Sequence, residues 1–113
     1  MFNKGNMGNL MRQAQKMQED LQKAQENLVN IQVEGTAGGN MVAVTANAAQ
    51  EILHIKIDPQ VVDPQDVEML EDLVLAAVNQ ALQNSRAKAE EELAKATGGM
   101  GPGMLGGLKL PGF

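Results

Sequence analysis

The sequence has no cysteine, tryptophan or tyrosine, and its two phenylalanines, Phe2 and Phe113, lie at its ends. The absence of cysteine excludes disulfides, thiolate metal ligands and a thiol nucleophile. Without an internal aromatic residue, the core must consist of aliphatic side chains and methionine, and nucleic-acid bases have nothing to stack on. No apolar run approaches the roughly 20 residues of a membrane span, and the first residues lack the apolar core of a secretory signal. We therefore expect a soluble, cytoplasmic protein.

Groups that support catalysis are equally scarce. His54 is the single histidine and stands alone on a predicted strand, and Ser85 is the single serine, without a base one helical turn away. The glycine pairs do not follow the strand–glycine–helix order with a lysine that a phosphate-binding loop needs. No group of His, Asp and Glu has the spacing of a metal site. The sequence therefore predicts a protein that is not an enzyme, with no catalytic residue, metal or cofactor and no small-molecule substrate.

Charge is unevenly distributed along this chain of net charge −5. Residues 58–72 contain six acids and neither Lys nor Arg, whereas residues 1–30 contain four bases and three acids. Asp63 suits the N-cap of a helix with Pro64 at its first position, so most of the acidic run is explained by a helix start. The net charge is thus a poor guide to the local potential.

An apolar heptad repeat predicts a first helix over residues 7–29. The repeat is formed by Met7, Leu10, Ala14, Met17, Leu21, Ala24 and Leu28, a spacing that lets one helix lie along another. Arg12, Lys16 and Lys23 fall within about 40° of each other, almost opposite this repeat. Lysine and arginine on one helix face can contact phosphates, which gives affinity with little sequence information.

Three short segments with a two-residue period predict an antiparallel meander. They are centred on residues 31–34, 41–46 and 52–57, and the turns between them contain Gly38-Gly39 and residues 47–50. In the third strand, strict alternation places Leu53, Ile55 and Ile57 on one side, and Ile52, His54 and Lys56 on the other. Asp58-Pro59 ends this strand.

A second helix is predicted from residue 64 to about 97, where Gly98-Gly99 stops it. Its middle is apolar over roughly 200° of its surface, twice the width of an ordinary one-sided helix. One stripe can cover the sheet, and the other needs a second partner, for which a copy of the same chain is the economical candidate. The predicted dimer interface consists of Leu70, Leu73, Val74, Leu75, Ala77, Val78, Ala81 and Leu82. Residues 1–97 are expected to form a single domain, followed by a glycine-rich flexible tail over 98–113.

Five segments, in order, resemble the YbaB/EbfC family of bacterial nucleoid-associated proteins. They are MRQAQKMQ at 11–18, VEG at 33–35 with the glycine pair at 38–39, IKIDP at 55–59, MLEDLVLAAVN at 69–79 and TGGM at 97–100. The resemblance covers about residues 7–100. Two departures are Ala48, which stands where the family often has glycine, and the strongly acidic body of the chain.

The resemblance implies an α+β homodimer of two layers, likened to tweezers, in which an N-terminal helix, a three-stranded antiparallel meander and a long C-terminal helix follow each other. It also implies binding to double-stranded DNA, association with the nucleoid, and an influence on nucleoid organisation or gene expression. The family's suspected DNA contacts are basic residues on the first helix and near the end of the long helix. Those positions hold Arg12, Lys16, Lys23, Arg86, Lys88 and Lys95.

Two hypotheses therefore follow for function. The first is a dimeric protein that contacts duplex DNA mainly through backbone phosphates, because only two arginines are available to read guanines. The second is a dimeric protein–protein adaptor that does not bind DNA, whose long helices and apolar tail hold a partner while the acidic run repels DNA.

Overall fold

The computed structural model describes residues 4–98, with side chains from Met7 onward. It confirms the predicted α+β order of a helix, three strands and a long helix. The elements are α1 (Lys4–Asn27), a 3-10 helix (Leu28–Asn30), β1 (Gln32–Ala37), β2 (Val42–Asn47), β3 (Ile52–Ile57), a second 3-10 helix (Pro59–Val61) and α2 (Val67–Ala96). Residues 98–113 were predicted to form a tail, and all but Gly98 lie outside the described residues.

The three strands form one antiparallel sheet in the order β1-β2-β3. Gly38, Gly39 and Asn40 connect β1 to β2 with φ angles of 63°, 64° and 72°. Three consecutive left-handed residues are costly for most side chains, and glycine and asparagine tolerate them best. The glycine pair therefore forms the turn that the sequence predicts.

A β-bulge changes the predicted alternation in β3. Thr45 pairs with His54 and Ala46 pairs with Ile52, so Leu53 is an extra residue of β3 without a partner in β2. Because paired residues point to the same face of a sheet, Ile52 shares a face with Ile55 rather than with His54. The predicted opposition of Ile52 to Ile55 is therefore wrong, since strict alternation cannot anticipate an inserted residue.

The core lies between α2 and the first two strands. Val42, Val44 and Ala46 of β2 are completely buried, as are Ala77 and Ala81 of α2. The core is aliphatic, as the lack of aromatic residues requires. In contrast, all six residues of β3 are exposed, so α2 covers the sheet unevenly and leaves its third strand uncovered.

The helix α2 begins three residues later than predicted. The Asp63 side chain accepts a hydrogen bond from the Gln65 N–H at 2.9 Å, and its carbonyl accepts from the Asp66 N–H at 2.9 Å, which makes a turn. Asp66 is the N-cap, since its Oδ1 accepts from the Met69 N–H at 3.2 Å. Asp63 was the wrong choice because both aspartates have suitable spacing and the sequence alone does not rank them.

The chain divides into two compact units. One unit comprises Leu28–Ala89 and holds the sheet and most of α2. The other contains α1 and the part of α2 from Glu90 onward. The first helix was predicted to end at residue 29, but it ends at Asn27 and passes into the 3-10 turn Leu28–Asn30.

Candidate nucleic-acid interface

The three predicted basic residues of α1 are all exposed to solvent. Arg12, Lys16 and Lys23 lie on one continuous helix, so the angle of about 40° expected from helical geometry applies to them. Among the side chains described, from Met7 to Gly98, none makes an ion pair or hydrogen bond with the charged group of any of the three. Their charged groups are therefore available to an external anion without the loss of an existing contact.

Carboxylates interrupt this basic face. Glu19 is exposed and Asp20 is half-buried, and both lie between Lys16 and Lys23 along the chain. Side chains three and four residues apart are neighbours on a helix, so each carboxylate is adjacent to both lysines. From residue 7 to 27 the helix carries three bases and three acids. The face is a line of mixed charge and not a uniformly positive one.

The basic residues near the end of α2 are in a different situation. Lys95 Nζ lies 3.4 Å from a carboxylate oxygen of Glu91 and 3.4 Å from one of Glu92. The negative charge of Glu92 first, and the hydrogen bonds and charge of both acids together, raise the pKa of Lys95. A phosphate that binds Lys95 must compete with these two carboxylates.

Arg86 and Lys88 complete the predicted set on α2. Arg86 is exposed, whereas Lys88 is half-buried and already has an interaction partner. Arg86 also lies about 180–200° around the helix from Lys88 and Lys95. The structure therefore does not bring the three basic residues of α2 together on one face.

The predicted dimer interface divides into a buried and an accessible part. Ala77 and Ala81 lie in the core of their own chain, against the backbone of Gly35. Leu73 and Leu82 are half-buried. The accessible part is an apolar groove between α2 and β3, lined by Ile57, Leu70, Glu71, Val74, Leu75 and Val78. Leu75, one of these lining residues, is 60% exposed.

The two edges of the sheet differ in how they are protected. At β1, the Thr36 N–H donates to Gln80 Oε1 at 2.6 Å, and Asn84 Nδ2 donates to the Glu34 carbonyl at 2.7 Å. These side chains of α2 occupy backbone groups that another strand would otherwise use. The β3 edge carries the exposed Ile55 and Ile57. Sequence reasoning missed Gln80 and Asn84, because nothing in their spacing distinguishes them from ordinary solvated residues.

A buried polar contact ties α2 to the turn between β2 and β3. Ser85 is completely buried, donates to the Asn47 carbonyl at 2.7 Å and accepts from the Gln50 N–H at 3.0 Å. Ser85 follows Ala77 and Ala81 at steps of four, so it continues a stripe of small residues. That spacing was the available signal that Ser85 belongs to the core.

Comparisons with known proteins identify the family of this chain. The family model of the YbaB/EbfC DNA-binding family matches residues 3–100. The chain belongs to the YbaB/EbfC DNA-binding family. A nucleoid-associated protein of Ruminiclostridium cellulolyticum is 53% identical over 103 residues, which cover 89% of this chain and 90% of that protein. One of Caldanaerobacter subterraneus is 54% identical over 101 residues, with 88% and 91% covered.

The fold of this YbaB/EbfC chain is also similar to that of a solved structure. An uncharacterized protein of Helicobacter pylori has a TM-score of 0.61 and 19% identity, and the match covers 80% of this chain and 92% of that one. At this identity the likeness concerns the fold alone. The family membership confirms the resemblance that the five segments suggest, and the bacterial source of these relatives agrees with it.

The described part of this YbaB/EbfC chain has neither a metal-binding cluster nor a membrane-spanning helix. Over residues 4–98, no group of three or more His, Asp and Glu side chains could hold a metal ion. Over the same residues, neither helix has the length and apolar character to cross a bilayer.

Proposed function

We propose that this protein is a homodimeric, non-enzymatic member of the nucleoid-associated class that binds duplex DNA in the cytoplasm, at the nucleoid. The observation that carries the proposal is a DNA-binding family match across the chain together with the exposed Arg12, Lys16 and Lys23 of α1, whose charged groups make no ion pair with the side chains described. Through this binding the protein influences nucleoid organisation or gene expression. The curated relatives at about half identity are named nucleoid-associated proteins.

The contact is mainly with backbone phosphates. The described chain has no Phe, Tyr or Trp side chain for base stacking, and its two arginines, Arg12 and Arg86, belong to different units. Bidentate reading of guanine needs arginines placed in the major groove. Lysines on one helix face supply point charges that phosphates attract regardless of sequence. Low sequence specificity and strong salt dependence follow from this composition.

The dimer forms through the apolar groove and the uncovered face of β3. The groove leaves Leu75 exposed beside the half-buried Leu70, Val74 and Val78. On β3, Ile52, Ile55 and Ile57 are between 36% and 42% exposed. A second copy of the chain that covers these side chains removes apolar surface from water, at about 25 cal/mol for each Å² buried. The dimer also doubles the number of basic residues that face one duplex.

Loss of the three α1 charges tests the DNA proposal. The variant Arg12→Ala, Lys16→Ala, Lys23→Ala is expected to weaken binding to a random-sequence duplex at least tenfold at low salt, because up to three phosphate contacts per chain disappear. Fluorescence anisotropy over a salt series measures both the affinity and its slope. The single variants Lys16→Ala and Lys56→Ala are measured in the same assay. Lys56 is on the exposed strand β3 and outside α1, so Lys56→Ala is the control and is expected to have little effect on DNA affinity. Equal weakening by these two single variants would remove α1 from the interface.

A charge placed in the groove tests the dimer. Leu75→Asp is expected to convert a particle of twice the 12.0 kDa chain mass into one of single mass, because a desolvated carboxylate opposes association. Light scattering measures the mass directly. Val62→Asp is the matched control, since Val62 is 52% exposed and does not line the groove. A wild-type protein of single mass contradicts the dimer.

The apolar repeat of α1 favours a second candidate function. Met7 and Leu10 are 53% and 58% exposed, which suits a helix that holds another protein. An adaptor of this kind binds its partner without DNA. Stoichiometric recovery of one partner protein, together with no binding to duplex DNA at low salt, would favour it over the first proposal.

A further inference from the structure

We infer that Glu19 and Asp20 limit the affinity of α1 for DNA phosphates, so that this helix binds weakly unless several contacts form at once. The inference rests on the proposed function and identifies residues that tune the same surface. It concerns two carboxylates that were not among the predicted contact residues and that the structure places between Lys16 and Lys23.

The positions of these four residues carry the argument. Glu19 is three residues from Lys16 and four from Lys23, and Asp20 is four from Lys16 and three from Lys23. On the continuous helix α1, such spacings place side chains next to each other, with Cβ atoms about 5–6 Å apart. The two lysines and two carboxylates therefore form one compact patch whose formal charge is zero.

The charges of this patch do not form ion pairs with each other. Among the side chains described, from Met7 to Gly98, none of the four makes an ion pair or a side-chain hydrogen bond, although a glutamate four residues before a lysine has the favourable order for an ion pair. Both carboxylates therefore repel an anion that approaches the lysines. At physiological ionic strength the Debye length is about 8 Å, so a phosphate that contacts either lysine also experiences the repulsion.

The consequence for binding is a low affinity per helix. Attraction to Lys16 and Lys23 is offset by repulsion from Glu19 and Asp20. Of the three basic residues Arg12, Lys16 and Lys23, Arg12 alone lies outside the patch. A second copy of the chain then supplies the further contacts that stable binding needs. The patch makes binding depend on assembly more strongly than three lone cations would.

Neutralising the two carboxylates tests the inference on the full-length protein. The double variant Glu19→Gln, Asp20→Asn is expected to bind a random-sequence duplex about tenfold more tightly than wild type in low-salt anisotropy titrations. The matched control is Glu68→Gln, Asp72→Asn, which changes the net charge equally on an exposed part of α2. The control is expected to change the affinity less than threefold, because it leaves in place Glu19 and Asp20, the carboxylates adjacent to Lys16 and Lys23.

A second variant keeps the test decisive if the double variant loses helix. Glu19→Lys adds a cation to the patch, and the slope of log affinity against log salt is expected to steepen by about 0.9 for one more phosphate contact. Circular dichroism checks that each variant keeps the wild-type helix content.

The outcomes separate the inference from the proposed function. If the α1 double variant and its control strengthen binding equally, or if neither does, the carboxylates do not act through the patch and the inference is overturned. If neither wild type nor any variant binds at low salt, the DNA proposal itself fails and the inference fails with it. If the α1 double variant binds where wild type does not, the inference is supported.

Discussion

Gly35→Ala is expected to destabilise the protein by about 3 kcal/mol, a large share of the stability of a small domain. Gly35 is buried in β1 where α2 crosses the sheet. A Cβ at this position would collide with the backbone nitrogen of Ala81 and the carbonyl oxygen of Ala77, and would lie 2.8 Å from the Cα of Ala81. Backbone atoms cannot rotate away, so α2 would have to move off the sheet and open the core. Urea unfolding measures the loss.

Gly8→Ala is the matched control for this prediction. Gly8 lies within α1, and a Cβ there has no atom within 4 Å to meet. The same substitution is therefore expected to stabilise the protein by about 0.5–1 kcal/mol, because alanine loses less backbone freedom in a helix than glycine. A Gly35→Ala protein as stable as wild type would show that α2 does not approach β1 as closely as the structure has it.

Asn47→Asp is expected to cost about 3 kcal/mol at pH 7. Asn47 is only 2% exposed, and its Nδ2 donates to Glu51 Oε1 at 2.7 Å and to the Val29 carbonyl at 3.4 Å. Aspartate has nearly the same shape and keeps the acceptor that receives two backbone N–H groups of the turn. It loses both donors, and it places a second carboxylate against that of Glu51.

The loss should depend on pH in a defined direction. Burial and the charge of Glu51 both raise the pKa of the introduced carboxyl group above its value in the unfolded chain. The destabilisation is therefore complete at neutral pH and becomes smaller as the pH falls through the raised pKa, where the group is neutral. Denaturant unfolding at several pH values measures this trend.

Asn79→Asp provides the control for Asn47→Asp. Asn79 is exposed on α2, where the same chemical change is expected to alter the stability by no more than about 0.5 kcal/mol. Equal losses at the two positions would mean that the polar network around Asn47 does not stabilise the fold.

Much of the fold could be predicted because its signals are local. The apolar repeat of α1, the glycine pair at 38–39 and the Asp58-Pro59 step each act within a few residues of chain. The structure confirms the elements that they predict, and the Asp58 side chain accepts from the Gln60 N–H at 2.9 Å to start a 3-10 turn. Gly98, with a φ of 68°, follows the end of α2 as predicted.

The candidate site was predictable only in its composition. Helical geometry is enough to place Arg12, Lys16 and Lys23 on one face, because a single helix carries all three. It cannot show that Lys95 contacts two carboxylates while Arg12, Lys16 and Lys23 make no ion pair with the side chains described, since side-chain pairing depends on rotamers as well as on spacing. For the same reason, spacing alone does not reveal that Lys88 is half-buried.

By itself, the sequence determined the order of elements, the aliphatic nature of the core and the separation of apolar and basic faces on α1. These depend on residue type and on the period of the backbone, both of which are known without any tertiary contact. Only the tertiary structure decided which face of α2 meets the sheet, how Gln80 and Asn84 close the β1 edge, and that β3 stays uncovered. The hydrogen bonds of Gln80 and Asn84 to β1 join residues more than 40 positions apart in the chain. They form because packing the small residues around Gly35 brings the backbones together, and no local pattern specifies that approach.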